Sequence, residues 1–234
     1  MLKGIKFKFF GKNCLIDRAL NNTTYFKQKL VDLEFKFDYD PLFLNQIHGN
    51  EVVVIDDISK IYQSPFPKAD ALVTNIKNLP ISVITADCVP IIFYDEIKEI
   101  IAIAHAGWKG AKSGIIENTI AEMLNLGAKI KNITAIIGPT IKQESYEISQ
   151  EFFDDFIKTD PKNKAFFITA KKENHFMFDL TLYCVSRLKD LKITQILDQK
   201  IDTYKNEKDW FSYRRSNQRS EPDCGRNISV ITLL

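Results

Sequence analysis

Histidine is scarce in this sequence, with three residues among 234, and the scarcity excludes one class of metalloenzyme. A multicopper oxidase carries a type-1 copper and a three-copper cluster, which together need roughly ten imidazoles because copper binds histidine so strongly. Three histidines cannot furnish those sites. A transition-metal site in this chain would therefore be a small one.

Cysteine is also sparse, and the four residues are scattered without a CxxC pair. That pattern argues against a disulfide framework and is typical of reduced thiols. The Gly-rich loops of the dinucleotide-binding and Walker types are missing as well, so functions that depend on those loops are excluded.

Long apolar runs are missing too, since none approaches the about 18 residues that a membrane span requires. Lys6 and Lys8 interrupt the N-terminal segment, which is therefore not typical of a signal peptide. We expect a cytoplasmic protein with no membrane partner.

Neither sign of charge predominates, because 32 basic residues face 30 acidic ones and leave a net charge of +2. The one-signed surface of a general nucleic-acid binder is not expected. An apolar fraction of 45% with 17 Phe is ample for a large core. The length suits a single domain over residues 1–234, and no pattern bears on the oligomeric state.

Short runs rich in β-branched residues, bounded by Gly, Pro, Asn or Asp, predict eleven strands. They cover residues 5–10, 42–47, 51–55, 71–74, 81–86, 89–94, 100–104, 133–137, 165–169, 193–197 and 228–233. Helical periodicity is confined to residues 114–126, 150–157 and 180–191. This pattern predicts a mixed-sheet α/β (α+β) sandwich with helices on the outer faces of the sheets.

Three side chains that bind metals well stand at the ends of strand-like runs, each beside a turn residue: His48, Cys88 and His105. Strand ends on a rigid scaffold can aim side chains at one point. Imidazole and thiolate together suit Zn²⁺, and three protein ligands leave the fourth tetrahedral position open, as in catalytic zinc sites.

Ordinary packing would account for the same residues. His105 shares strand parity with Ile101 and Ile103, so it could be a core histidine, and cysteine is among the most buried residue types. Spacing alone does not choose between a metal site and packing.

Eight short motifs occur in the order of one family. They are Asn-Gln-Ile-His-Gly (45–49), Asp-Ala-Leu-Val-Thr (70–74), Thr-Ala-Asp-Cys-Val-Pro (85–90), His-Ala-Gly-Trp-Lys-Gly (105–110), Ile-Gly-Pro (137–139), Tyr-Glu (146–147), Phe-Asp-Leu (178–180) and Phe-Ser-Tyr-Arg-Arg (211–215). Over about residues 40–234 the sequence thus resembles the laccase-domain family. Its members have been called multicopper polyphenol oxidases, peptidoglycan editing factors and purine nucleoside phosphorylases.

The resemblance implies a mixed α/β sandwich with a zinc ion on His48, Cys88 and His105. It also implies phosphorolysis of adenosine, inosine and 5′-methylthioadenosine, with some adenosine deamination, so that the partners are a purine nucleoside and phosphate. The chain departs from the family at Lys109, where Arg is usual; the charge is kept but the planar guanidinium fork is lost.

Other residues in these motifs are candidates for catalysis or substrate binding. Asp87, beside Cys88, is a candidate catalytic residue, as a hydrogen-bond acceptor behind the ligand or a proton carrier, although it could equally be a turn residue. Asn45 and Gln46 could bind substrate, although Asn at a strand end often only caps a turn.

The basic candidates for phosphate are Lys109, Arg214 and Arg215. The two arginines are adjacent, so on a strand they would point to opposite faces, and one of them would reach the phosphate or ribosyl group.

Two other hypotheses use the same residues. In a cysteine hydrolase or amidase acting on a cell-wall precursor, Cys88 would be the nucleophile and His105 or His48 its base. A binding module with a closed structural zinc would need a fourth protein ligand, for which Cys224 is the remaining candidate within a family motif.

Overall fold

A six-stranded mixed sheet forms the centre of the computed structural model, which describes residues 3–14, 23–62 and 65–234. The described strands are β1 (Ile5–Phe10), β2 (Val52–Ile55), β3 (Ala71–Thr74), β4 (Ile81–Thr85), β5 (Val89–Asp95), β6 (Ile100–Ala106), β7 (Ile133–Ile137), β8 (Glu147–Ser149), β9 (Phe167–Thr169), β10 (His175–Phe178), β11 (Gln195–Asp198) and β12 (Asn227–Leu233). The described α-helices are α1 (Thr23–Asp32), α2 (Trp108–Ser113), α3 (Ile115–Asn125), α4 (Gln150–Thr159), α5 (Leu180–Asp190) and α6 (Tyr213–Gln218).

The central sheet has the order β11-β7-β5-β6-β3-β2. Its middle strands pair antiparallel, whereas the outer pairs β2–β3 and β7–β11 are parallel. A second sheet, β1-β12-β4, and a third, β8-β10-β9, are antiparallel three-stranded sheets.

The layers follow from which face of each strand is apolar. On one face of the central sheet, α3 and α5 bury residues such as Ile120 and Leu188 in the largest core cluster. On the other face, Ile231 and Leu233 of β12 meet the central sheet. Their neighbours Ile228 and Val230 point the opposite way, towards α1, as strand alternation requires. Among the described residues, no helix is long and apolar enough to cross a membrane.

The predicted mixed α/β class is confirmed, and most strands lie where the sequence placed them. The strand predicted at 42–47 is wrong: that segment makes only isolated bridges at Leu42 and Asn45. At its end, the Ile47 N–H binds the side chain of Asp70 instead of a neighbouring strand, as do the N–H groups of His48 and Gly49 that follow.

The ten-residue helix α1, the short helices α2 and α6 and the strands β8 and β10 were not predicted. Helix α2 is six residues long and gives way to α3 at Gly114. Gly114 has φ 99, a left-handed conformation that other residues rarely adopt, so the chain changes direction there within one residue. Six residues are too few to show a helical period.

Candidate metal centre

The pairing of β5 with β6 brings Cys88 to His105. In this antiparallel register Val89 lies opposite Ala106 and Pro90 opposite His105. Cys88, one residue before β5, therefore stands beside the end of β6. Residues 17 positions apart in the chain meet because two neighbouring strands run in opposite directions.

His48 completes the cluster. One ligand atom each from His48, Cys88 and His105 lie within 4.8 Å of one another, and the imidazole rings are nearly perpendicular, with centroids 4.7 Å apart. Three ligand atoms this close together would hold one small metal ion. His105 is buried, Cys88 half-buried and His48 exposed, so the cluster opens towards solvent on the side of His48.

Gly107 leaves the room that an ion would need. A Cβ at this position would lie 3.0 Å from Cys88 Sγ and 3.1 Å from His48 Cδ2. Within the described part of the chain, no further His, Cys, Asp or Glu joins the cluster. Two imidazoles and one thiolate around an open position fit a divalent metal of the zinc type.

We expect Gly107→Ala to weaken zinc binding by about tenfold or more, because its methyl group would displace two ligands. Zinc affinity by competition with a chromophoric chelator is the measurement. Lys109→Ala, two residues further along α2 and exposed, is the control and should keep the affinity. A Gly107→Ala protein that binds zinc as tightly as the control would show that the glycine is not needed at the site.

A buried carboxylate, Asp70, stands behind the histidines. Asp70 Oδ1 lies 2.8 Å from His105 Nδ1 and accepts the His48 N–H at 3.0 Å. Asp70 Oδ2 accepts the N–H groups of Ile47 and Gly49 at 3.2 and 2.7 Å. Asp70 opens the motif at 70–74 but was not among the residues predicted to form the site.

The three charged groups stabilise one another. Burial opposes ionisation of Cys88, but the imidazoles of His105 and His48 outweigh it and lower the thiol pKa to about 6. Burial works against the charged form of His105 as well, yet Cys88 and Asp70 raise its pKa to about 9. Burial raises the pKa of Asp70, but the hydrogen bonds from His105, Gly49 and His48 lower it by more, so the pKa lies below its usual value. A thiolate is the form of cysteine that binds metals.

Asp87 faces the C-terminal segment. Its carboxylate accepts hydrogen bonds from Thr203 Oγ1 at 2.7 Å, from Ser212 Oγ at 2.9 Å and from the Arg214 N–H at 2.7 Å. Burial raises the pKa of Asp87 despite these three bonds. Its φ is 82, a rare conformation away from Gly. The side chain of Asp87 thus links the residue next to Cys88 to residues 203–214, while its main-chain oxygen accepts from Thr140 Oγ1 at 2.6 Å.

The two adjacent arginines differ sharply. They lie on α6 and not on the strand that the sequence analysis assumed. Arg215 is buried and donates to three main-chain oxygens, those of Thr203, Tyr204 and Trp210.

Arg214 is half-buried, with its guanidinium 5.3 Å from the centroid of the Tyr146 ring and Nη1 2.6 Å from Glu147 O. Burial together with the negative charges of Cys88 and Asp87 raises the pKa of Tyr146, and Arg214 opposes that rise. The Arg214 N–H also binds the carboxylate of Asp87, the neighbour of Cys88 in the chain. Tyr146 was not among the residues predicted from the sequence.

The remaining candidates lie outside the His-Cys-His cluster. Gln46 exchanges two 2.8 Å hydrogen bonds with the backbone of Ile84, so its amide supports the loop of His48. Asn45 and Lys109 are exposed, and the Lys109 ammonium lies 5.4 Å from the centroid of the Trp108 ring. Cys224 is buried, accepts from Arg226 Nη1 at 3.0 Å and is not part of the cluster.

Comparison with known proteins finds one family throughout. Residues 21–234 match the family described as multi-copper polyphenol oxidoreductase laccase. A Rickettsia conorii protein named purine nucleoside phosphorylase is 39% identical over 219 residues, which are 94% of this chain and 85% of that protein. A Haemophilus influenzae protein of the same name is 33% identical over 85% of this chain and 76% of its own length.

Solved structures share the fold. A Neisseria meningitidis protein superimposes with a TM-score of 0.81 at 25% identity and covers 99% of this chain and 95% of its own. A Bacillus licheniformis protein described as hypothetical gives a TM-score of 0.78 at 27% identity, over 89% of this chain and 79% of its own. The mixed α/β architecture is therefore that of experimentally determined relatives.

Proposed function

The chain belongs to the multi-copper polyphenol oxidoreductase laccase family, and from this premise we propose that it is a zinc-dependent purine nucleoside phosphorylase. Its substrates would be adenosine, inosine and 5′-methylthioadenosine, with deamination of adenosine as a second activity. The enzyme would act in the cytoplasm. Its residues 1–234 would form a single catalytic domain. The observation that carries the proposal is the 39% identity, over 94% of the chain, to a relative with that name.

Zinc is proposed because of the donor set. Two imidazoles and a thiolate suit Zn²⁺, whereas a multicopper centre needs far more than the three histidines of this chain. His48, Cys88 and His105 would hold the ion. Bound zinc supplies a Lewis acid that stabilises negative charge.

Phosphorolysis needs an oriented anion. A phosphate oxygen bonds to C1′ of the ribose while the bond from C1′ to the purine nitrogen breaks, and its electron pair leaves with the base, which takes up a proton. We assign the orientation of phosphate to Arg214, because a guanidinium has five N–H donors and Glu147 O is the one acceptor found for it among the described residues. Asp87 holds the Arg214 backbone beside Cys88.

The remaining candidates would complete the substrate site. We propose that Lys109 and Asn45, both exposed near the ligands in sequence, contact the nucleoside or phosphate from the solvent side. We assign Gln46 to support of the His48 loop instead, since both ends of its amide bind Ile84, and Arg215 to support of residues 203–210.

Purified protein incubated with inosine and phosphate should release hypoxanthine and ribose 1-phosphate, and the release should stop when phosphate is omitted. The physical reason is that phosphate is the nucleophile and not an activator. Chromatography of the products, with and without phosphate, is the measurement. Cleavage that proceeds equally well in phosphate-free buffer, with free ribose as the product, would make the protein a nucleoside hydrolase and overturn the assignment.

One observation favours a second candidate. The pKa of Cys88 is lowered to about 6 beside His105, which is the environment of a nucleophilic cysteine. The candidate is an amidase acting on a cell-wall precursor, with Cys88 as nucleophile and His105 or His48 as base. A cysteine bound to zinc is not a free nucleophile, so the two proposals exclude each other.

A further inference from the structure

We propose that Asp70 is the positioning residue of the metal centre, holding His105 by its ring and His48 by its backbone. This inference rests on the metal site of the proposed function and not on the identity of the substrate. Asp70 is completely buried and immediately precedes β3, where β3 pairs with β6. Its main-chain oxygen accepts the His105 N–H at 2.7 Å. Asp70 and His105 are therefore cross-strand neighbours, which brings their side chains together.

Asp70 decides which nitrogen of His105 is available to a metal. A carboxylate accepts and does not donate, so Nδ1, 2.8 Å from Asp70 Oδ1, carries the ring proton. Nε2, on the side of Cys88 and 3.8 Å from the position of a Cβ on Gly107, is then the nitrogen that would give up its proton to bind a metal. Carboxylate–imidazole pairs of this kind fix the tautomer and orientation of metal-binding histidines.

The same carboxylate holds His48 through its main chain. Three successive N–H groups, from Ile47 to Gly49, point at Asp70. His48 has φ 59, a left-handed conformation that needs compensating contacts away from Gly, and these hydrogen bonds supply them. An exposed ligand on a loop is thereby held by a buried group on a strand.

No neutral side chain can repeat this arrangement. Each oxygen of Asp70 accepts two N–H donors: Oδ1 those of His48 and His105, Oδ2 those of Ile47 and Gly49. An asparagine has one acceptor oxygen and one NH₂ group. In either orientation its NH₂ group would point at one of these pairs of N–H donors and could not accept their hydrogen bonds. Asp70→Asn should therefore lose the hydrogen bonds to His105 and His48, or those to Ile47 and Gly49.

The chain contains a matched control in Asp95. Asp95 is also completely buried, and each of its oxygens accepts two N–H donors: Oδ1 those of Ile97 and Lys98, Oδ2 those of Lys129 and Asn132. It lies at the far end of β5 from Cys88, about 20 Å away by the rise of a strand. Asp95→Asn disturbs the same kind of network without touching the metal centre.

Zinc affinity of wild type, Asp70→Asn and Asp95→Asn, each measured as folded protein by competition with a chromophoric chelator, tests the proposal. We expect both variants to melt at lower temperature, but only Asp70→Asn to lose zinc affinity, by about 10- to 100-fold. Equal affinities of the two variants would overturn the positioning role and leave the metal site standing. A wild-type protein that binds no zinc would overturn the metal site itself, whatever the nucleoside assay shows.

A measurement on the unmodified protein covers the case in which Asp70→Asn does not fold. In long-range ¹H–¹⁵N spectra of the zinc-loaded protein labelled at histidine, His105 should show a protonated Nδ1 and a metal-bound Nε2. The amides of residues 47–49 should also exchange slowly in the metal-free protein, because Asp70 and not the metal holds them. Zinc on Nδ1 of His105, or fast exchange at all three amides, would contradict the proposal.

Discussion

Stripping the metal with a chelator is expected to lower the rate of nucleoside turnover by at least about 100-fold. The same treatment should make Cys88 more reactive towards iodoacetamide. A thiolate on zinc shares its lone pairs with the ion and attacks alkylating agents slowly. Once the ion is gone, Cys88 is half-buried and its thiol pKa is lowered to about 6, so a free thiolate is available to the reagent. Mass spectrometry of the Cys88 peptide, with residual activity measured on the same samples, records both effects.

The cysteine hydrolase hypothesis predicts the opposite pair of results. Chelation would leave activity intact, and iodoacetamide would inactivate the untreated protein with the label on Cys88. The three other cysteines, Cys14, Cys184 and Cys224, are buried, and burial raises the thiol pKa of each, so they serve as slow internal references. Cys88→Ser should lose zinc as well as turnover; a variant that keeps its zinc would remove Cys88 from the ligand set.

Replacing the two neighbouring arginines one at a time should separate phosphate binding from stability. For Arg214→Ala we expect kcat/KM for phosphate to fall about ten- to a hundredfold, the value of a charge-assisted hydrogen bond, with zinc content unchanged. Its guanidinium lies over the Tyr146 ring, and its backbone N–H binds Asp87, the neighbour of Cys88 in the chain. Initial rates over a range of phosphate concentrations give the ratio.

Arg215→Ala should instead lower the free energy of unfolding. The change removes three hydrogen bonds to the buried main-chain oxygens around residues 203–210, and each unpaired buried acceptor costs about 1–3 kcal/mol. Several kcal/mol is a large part of the about 5–15 kcal/mol that stabilises a typical protein. Chemical denaturation measures the loss. If Arg215→Ala raised the phosphate requirement at full stability while Arg214→Ala did not, the assignment of the two residues would be reversed.

The chain's local patterns suffice for most of the strands and for the helices α3, α4 and α5. Alternating or continuous β-branched runs such as those of β5, β6 and β12 predict buried strands because burial needs apolar side chains over the whole length. The short helices α2 and α6 escape prediction, because six residues show no period and α6 is rich in polar residues.

The strand expected at 42–47 fails for a different reason. Its β-like composition is real, but the N–H groups of its last residue, Ile47, and of the two residues after it bind the carboxylate of Asp70, 21 or more residues away in the chain. No local pattern contains that partner.

Residue type and family motif are enough to name His48, Cys88 and His105 as a candidate metal site, since only a few side chains bind zinc, and the structure brings the three into one cluster. The residues that surround and support them become visible only in the folded chain. Asp70 emerged as the buried partner of both histidines, Gln46 as a loop support, and Arg214 and Arg215 as neighbours with different surroundings. Residue type limits what a side chain can do, but its burial and its hydrogen-bond partners come from distant segments, and these decide what it does.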